Sequence, residues 1–87
     1  MISGETKSGF SFTLEEAALD DMELFEDLCS LDSGDFRALV RVLDKLLGRE
    51  QKEALYSHLR RDGRVPMSDV SAALGEIFES VKAAKKS

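Results

Sequence analysis

Six apolar residues between Phe36 and Leu47 constrain this chain more than anything else in it. Phe36, Leu39, Val40, Leu43, Leu46 and Leu47 fall at i, i+3, i+4, i+7 spacing, so they line one side of a helix that has to be buried against something. Gly48 follows as a left-handed stop, with Lys45 in the last turn where a cation suits the free carbonyls. The same period returns twice downstream. Ala54, Leu55, His58 and Leu59 mark a helix from about Glu50 to Arg60. Val70, Ala73, Leu74, Ile77, Phe78 and Val81 mark a last one opening at Pro66, with Ser68 as a rival cap two residues later. Upstream, a helix runs from about Asp20 to Leu31 after a short turn at Glu15 to Ala18, and Asp20 and Asp21 stand where a cap and first-turn acids belong.

One stretch reads differently. In "GFSFTL" Phe10, Phe12 and Leu14 alternate with Ser11 and Thr13, a strand-like period with little other β sequence to pair with. It can pair with residues 2 to 6, lie over the helices as an extended arm, or add to the edge of a partner's sheet. The predicted fold is therefore all-α: a small bundle of about four amphipathic helices with an extended N-terminal arm. Residues 1–8 are expected to be a flexible arm, 9–84 a single helical domain and 85–87 a basic tail.

With 87 residues the chain holds one domain and a modest core. A net charge of −5 disfavours non-specific binding to nucleic acid or to an anionic membrane. The single cysteine, Cys29, excludes an internal disulfide and fits a reducing compartment. No apolar run approaches a membrane span and the start lacks a signal-peptide core, so the expected location is the cytoplasm.

The segment "RRDGRVPMSDV" invites a calcium-loop reading, which fails. With Gly63 as the turn glycine, His58 and Arg60 occupy ligand positions that require oxygen. Arg60, Arg61 and Arg64 beside a helix start suggest a phosphate site, yet no glycine-rich cradle accompanies them. As a joint the segment makes sense throughout: Gly63 stops one helix, Pro66 starts the next, and Val65 tucks in between. Catalysis finds no support either. The one histidine and one cysteine both continue apolar helical faces, and no set of metal ligands is visible. The chain is expected not to be an enzyme and to need no cofactor, metal or small-molecule substrate.

Charge is unevenly spread. From Glu15 to Asp35 there are acids and no bases, whereas Arg37, Arg41 and Lys45 recur every four residues opposite the next apolar stripe. The acidic helix is their expected partner, or else water. That helix is also greasier than one core face requires: Met22, Phe25 and Cys29 fall on one side, and Leu24, Leu28 and Leu31 on the adjoining one. The second strip, with Tyr56 or the Phe10 and Phe12 arm, is the expected docking surface. Phe10, Phe12, Leu24, Leu28, Leu31 and Tyr56 are accordingly the candidate partner-binding residues.

The run "GFSFTLEEAALDDMELFEDLCSLDSGD", followed by "LLGREQKEALYSHLRRDGRVPMSDVSAALGEIFES", resembles the small tail assembly chaperones of long-tailed bacteriophages. The shared features are an apolar-alternating arm, an acidic first helix, an "LLG" stop, a "DGRVP" joint and a final "EIFE" helix. The resemblance implies a non-enzymatic protein in the infected bacterial cytoplasm that coats the tape-measure protein and helps recruit tail-tube subunits. It also implies a longer, frameshifted form, for which the codons of Lys85 and Lys86 could supply the slippery run. Self-association is compatible with the same surface. Two rivals stand beside this reading. One is a DNA-binding regulator using Arg37, Arg41, Lys45, Arg60 and Arg61; the other is an acidic inhibitor or antitoxin-like module using Glu23, Glu26 and Asp27.

Overall fold

In a computed structural model the described residues are 1–85, with side chains for 1–82; the expected basic tail at 85–87 lies outside those side chains. The chain is mostly helical, but it is not all-α. It opens with an antiparallel hairpin, β1 (Ile2–Glu5) and β2 (Ser11–Leu14), and continues with α1 (Glu16–Leu19), α2 (Met22–Asp32), α3 (Arg37–Leu59) and α4 (Met67–Lys85).

The first residues are therefore a strand and its turn rather than a loose arm. Ile2 pairs with Leu14 and Gly4 with Phe12, which sets Ile2, Phe12 and Leu14 on one face, and all three are buried. Phe10 is buried with them. The turn closes through Thr6, whose N–H donates to Phe10 O (2.9 Å) while its own carbonyl accepts from Gly9 N–H (2.9 Å). Gly9 has a φ of +94°, a conformation that costs glycine little. The helices hold this turn down: Lys7 N–H donates to Glu76 Oε1 (2.8 Å), and His58 Nε2 lies 3.0 Å from the Ser8 carbonyl. A lone two-stranded hairpin is marginal in water, so packing on α3 and α4 is what makes this one persist.

α3 is the spine, touching α1, α2, α4 and β2. It buries Leu39, Leu43, Leu46 and Leu47 from its first half and Leu55 and Leu59 from its second. Gly48 breaks it between those halves, with φ 79° and ψ 162°, an extended positive-φ conformation rather than the compact left-handed turn its place at a helix end suggested. Gln51 mends the break. Its Nε2 donates to Leu47 O (2.8 Å), a carbonyl at the kink, and also to Thr13 O (2.8 Å). Its Oε1 accepts from Thr13 N–H (2.8 Å), so one amide both caps a helix half and occupies the free edge of β2. Lys52 Nζ spans the same kink to Asp44 (2.6 Å).

The joint before α4 is a miniature hairpin. Arg61 and Arg64 exchange backbone hydrogen bonds of 2.8 and 3.0 Å around Asp62 and Gly63, both at positive φ, which is the two-residue turn favoured by Asp-Gly. α3 has already ended at Leu59, with Arg60 extended, so Gly63 shapes this turn instead of stopping the helix. α4 then lays Val70, Ala73, Leu74, Ile77 and Val81 on the core.

Close packing between hairpin and α4 yields a direct test. A Cβ on Gly4 would lie 2.7 Å from Phe12 Cζ and 3.1 Å from Ser80 Oγ, and Phe12 is only 2% exposed. Gly4→Ala is expected to lose about 1–3 kcal/mol in denaturant unfolding, as overpacked cores do.

Candidate protein-docking site

The site begins with how α2 is seated. Asp21 caps this helix by accepting Glu23 N–H (2.9 Å), which fixes where it starts. Asp27, a turn further on, is buried and accepts from Arg41 Nε (2.9 Å) and Lys45 Nζ (2.5 Å) of α3. Asp35 takes Arg37 Nε at 3.0 Å. The basic stripe of α3 thus meets the acids of α2 and the loop after it. The hydrogen bond from Lys45, seconded by that from Arg41, holds the Asp27 carboxyl below its ordinary value, and Asp27 in turn raises the Lys45 ammonium.

This seating chooses which apolar strip of α2 is covered. Asp27 shares a side with Leu24 and Leu31, so Leu24 turns into the core and is 2% exposed. The adjoining strip faces out: Phe25 is 57% exposed, and Met22 and Cys29 are exposed beside it. The docking set expected from the sequence divides accordingly. Phe10, Phe12 and Leu24 are core residues and present no surface. A carboxylate at Leu24 would be an unpaired buried charge costing several kcal/mol, roughly the whole margin of a small domain. Tyr56 is half-buried on the second half of α3, outside the groove described next. Leu28 and Leu31 remain, both half-exposed. Sequence reasoning missed Phe36 (61% exposed) and Phe78 as surface residues, because helical spacing assigned both to core stripes.

These residues converge. α2 and α4 both pack on α3 but scarcely on each other, and the space between them is an open groove of about 440 Å³. Leu39 and Leu74 form its floor, and Leu28, Leu31, Phe36 and Phe78 its walls. Among the described residues Asp32 and Ser71 are the only polar side chains lining it. Small-ligand sites pair apolar walls with several convergent polar groups, and this groove lacks them. An apolar surface of another macromolecule suits it better.

Gly75 also lines the groove, in the middle of α4. A Cβ there would meet nothing within 4 Å, so no neighbour in the fold demands glycine. The residue nonetheless destabilises a helix interior by about 0.5–1 kcal/mol relative to alanine. The joint offers no comparable feature. Arg61 is engaged with Asp69 (2.6 Å), while Arg60 and Arg64 are exposed. Cys29 is exposed rather than packed as a small hydrophobe, and the exposed His58 ring leans on Phe10 with centroids 5.8 Å apart. Among the described residues no group of three or more His, Cys, Asp or Glu side chains is placed to hold a metal, and no helix is long and apolar enough to cross a membrane.

Fold and site together define a small hairpin-plus-helix domain with an apolar groove. Comparison of the chain with family models, with characterised proteins and with solved structures gives no match.

Two outcomes follow from this geometry. Because the folded Asp27 pKa is depressed, its contribution is fully present above the ordinary value of 3.8 and is lost as pH falls through the lowered value. Asp27→Asn should therefore unfold more easily near neutral pH, and its deficit against the wild type should shrink as denaturation is measured further below 3.8. Gly75→Ala should do the opposite to stability, adding about 0.5–1 kcal/mol in the same measurement.

Proposed function

We propose that this protein is a non-enzymatic assembly chaperone of the kind its sequence resembles. It covers apolar stretches of a tape-measure-like protein, keeps that protein soluble and offers a platform for tail-tube subunits. The observation that carries the reading is the open groove between α2 and α4, whose walls are large apolar side chains left uncovered by the chain itself. Monomeric proteins rarely leave such a patch unless something docks on it. The net charge of −5 suits the role, since an acidic coat keeps a complex with an apolar client dispersed.

The rival readings draw less from the same surface. The arginines and lysine that a DNA-binding regulator would use on α3 are engaged by Asp27 and Asp35. An acidic mimic would lose Asp27, which is buried between two cations.

The test is co-expression with the long helical protein that this reading expects to be encoded beside the gene. The client should be recovered soluble with the wild type, and largely insoluble with no chaperone or with Phe36→Asp, an exposed groove-wall position whose change should leave the circular dichroism unaltered. Equal recovery in all three cases, or the absence of any such neighbouring reading frame, contradicts the proposal.

A further inference from the structure

We infer that the groove receives a short amphipathic helix of another protein, one whose apolar stripe is flanked by lysine or arginine side chains. This rests on the docking reading above and names the ligand class of the same site.

The walls set the shape. Leu28, Leu31 and Asp32 lie along α2, with Phe36 beyond them, while Ser71, Gly75 and Phe78 follow one another down α4. The α4 row extends about 10 Å at the helical rise, enough for two turns of an incoming helix with apolar anchors at i, i+3 or i+4, and i+7. An extended strand fits poorly, because the backbone groups of both helical walls are spent within their own helices and offer no edge to pair with. Gly75 gives the groove its one bare stretch of backbone. With nothing within 4 Å of a would-be Cβ, a second helix can approach α4 there more closely than beside any larger residue.

Charge supplies the rest. Asp32 stands at the C-terminal end of the α2 wall, and Glu79 is exposed one turn after Gly75 on α4. Among the described residues neither is paired with a cation. Lys82, one turn beyond Phe78, is the described cation at that end of the row. An apolar strip bordered by acids on both walls is complementary to an apolar stripe bordered by bases. The same border argues against a second copy of this chain, since a two-fold contact through this groove would bring two acid-bordered strips together. An anionic lipid surface would be repelled likewise.

The probe is a synthetic amphipathic peptide of about 20 residues, long enough to hold helix in water, with leucines at the anchor spacing and lysines flanking them. A second peptide replaces the lysines with glutamates, and a third alternates apolar and lysine residues as a strand would. Binding to the full chain is read by polarisation at low and high salt, and located by amide and methyl shifts. The inference expects the lysine helix to bind best, to weaken as salt rises, and to shift signals of Leu28, Leu31, Gly75 and Phe78. Gly75→Leu, which helix propensity favours at an exposed position where an added Cβ meets nothing within 4 Å, should fold with undiminished Tm yet bind at least about tenfold more weakly. Reversing Asp32 and Glu79 to lysine should weaken the lysine helix and strengthen the glutamate one. Equal affinity for the two helices, preference for the strand peptide, or indifference to Gly75→Leu overturns the inference. Any of these beside a successful co-expression removes only the ligand class. Peptide binding as expected beside a failed co-expression removes the chaperone role and keeps the ligand class.

Discussion

A carboxylate shared by two cations decides the working surface of this molecule. Asp27 is buried between Arg41 and Lys45, and a buried charge that lost those partners would be strongly destabilising. Such pairs are poor at adding net stability, because desolvation consumes much of the Coulombic gain, but they are good at fixing register. Here the register is the rotation of α2 about its own axis. Two apolar strips compete for the core, leucines on one and Phe25 with Met22 on the other. Asp27 breaks the tie in favour of Leu24, and Phe25 is left outside.

The remaining architecture keeps that arrangement rigid from the far side. The hairpin covers the part of α3 and α4 that α2 does not reach, bringing Ile2, Phe10, Phe12 and Leu14 into the core. Gln51 ties hairpin and spine together at the point where Gly48 interrupts α3, satisfying groups from both with one amide. With one flank of the spine closed by the hairpin and another clamped by Asp27, the gap between α2 and α4 stays uncovered. Its glycine wall and acidic border are properties the fold itself does not use.

Much of this was legible in the sequence where a single period spoke clearly. The apolar stripe of α4 read directly apart from Phe78, and so did the cap at the start of α2 and the interruption at Gly48. The face of α3 read only in part: Val40 is 46% exposed, Ala54 and His58 are exposed, and Val42, left off the stripe, is fully buried. β2 was visible as alternation, and pairing with residues 2 to 6 was one of three placements open to it, but nothing in β1 itself selected that one. Ile2 is its one large apolar residue, Ser3 and Glu5 read as polar tail, and Gly4 is there for the Phe12 ring rather than for a strand. The hydrophobic residues of α2 were found, yet their assignment was inverted for Leu24. Spacing shows that two strips exist without showing which one the neighbour covers. A usable signal was present: Asp27 lies about 60° from Leu24 on the helix, the sole acid so placed opposite a basic stripe on the next helix. Phe36 and Phe78 were assigned to core stripes because periodicity reports a face and not how far along that face the neighbours extend.

The most direct measurement is the accessibility of individual phenylalanine rings to a soluble paramagnetic probe, with and without client protein. In the free chain the Phe25 and Phe36 signals should broaden strongly while those of Phe10 and Phe12 stay sharp. On complex formation Phe36 and Phe78 should become protected and the inner pair should not change. A Phe36 ring already shielded in the free protein, or one left equally exposed in the complex, would contradict the account.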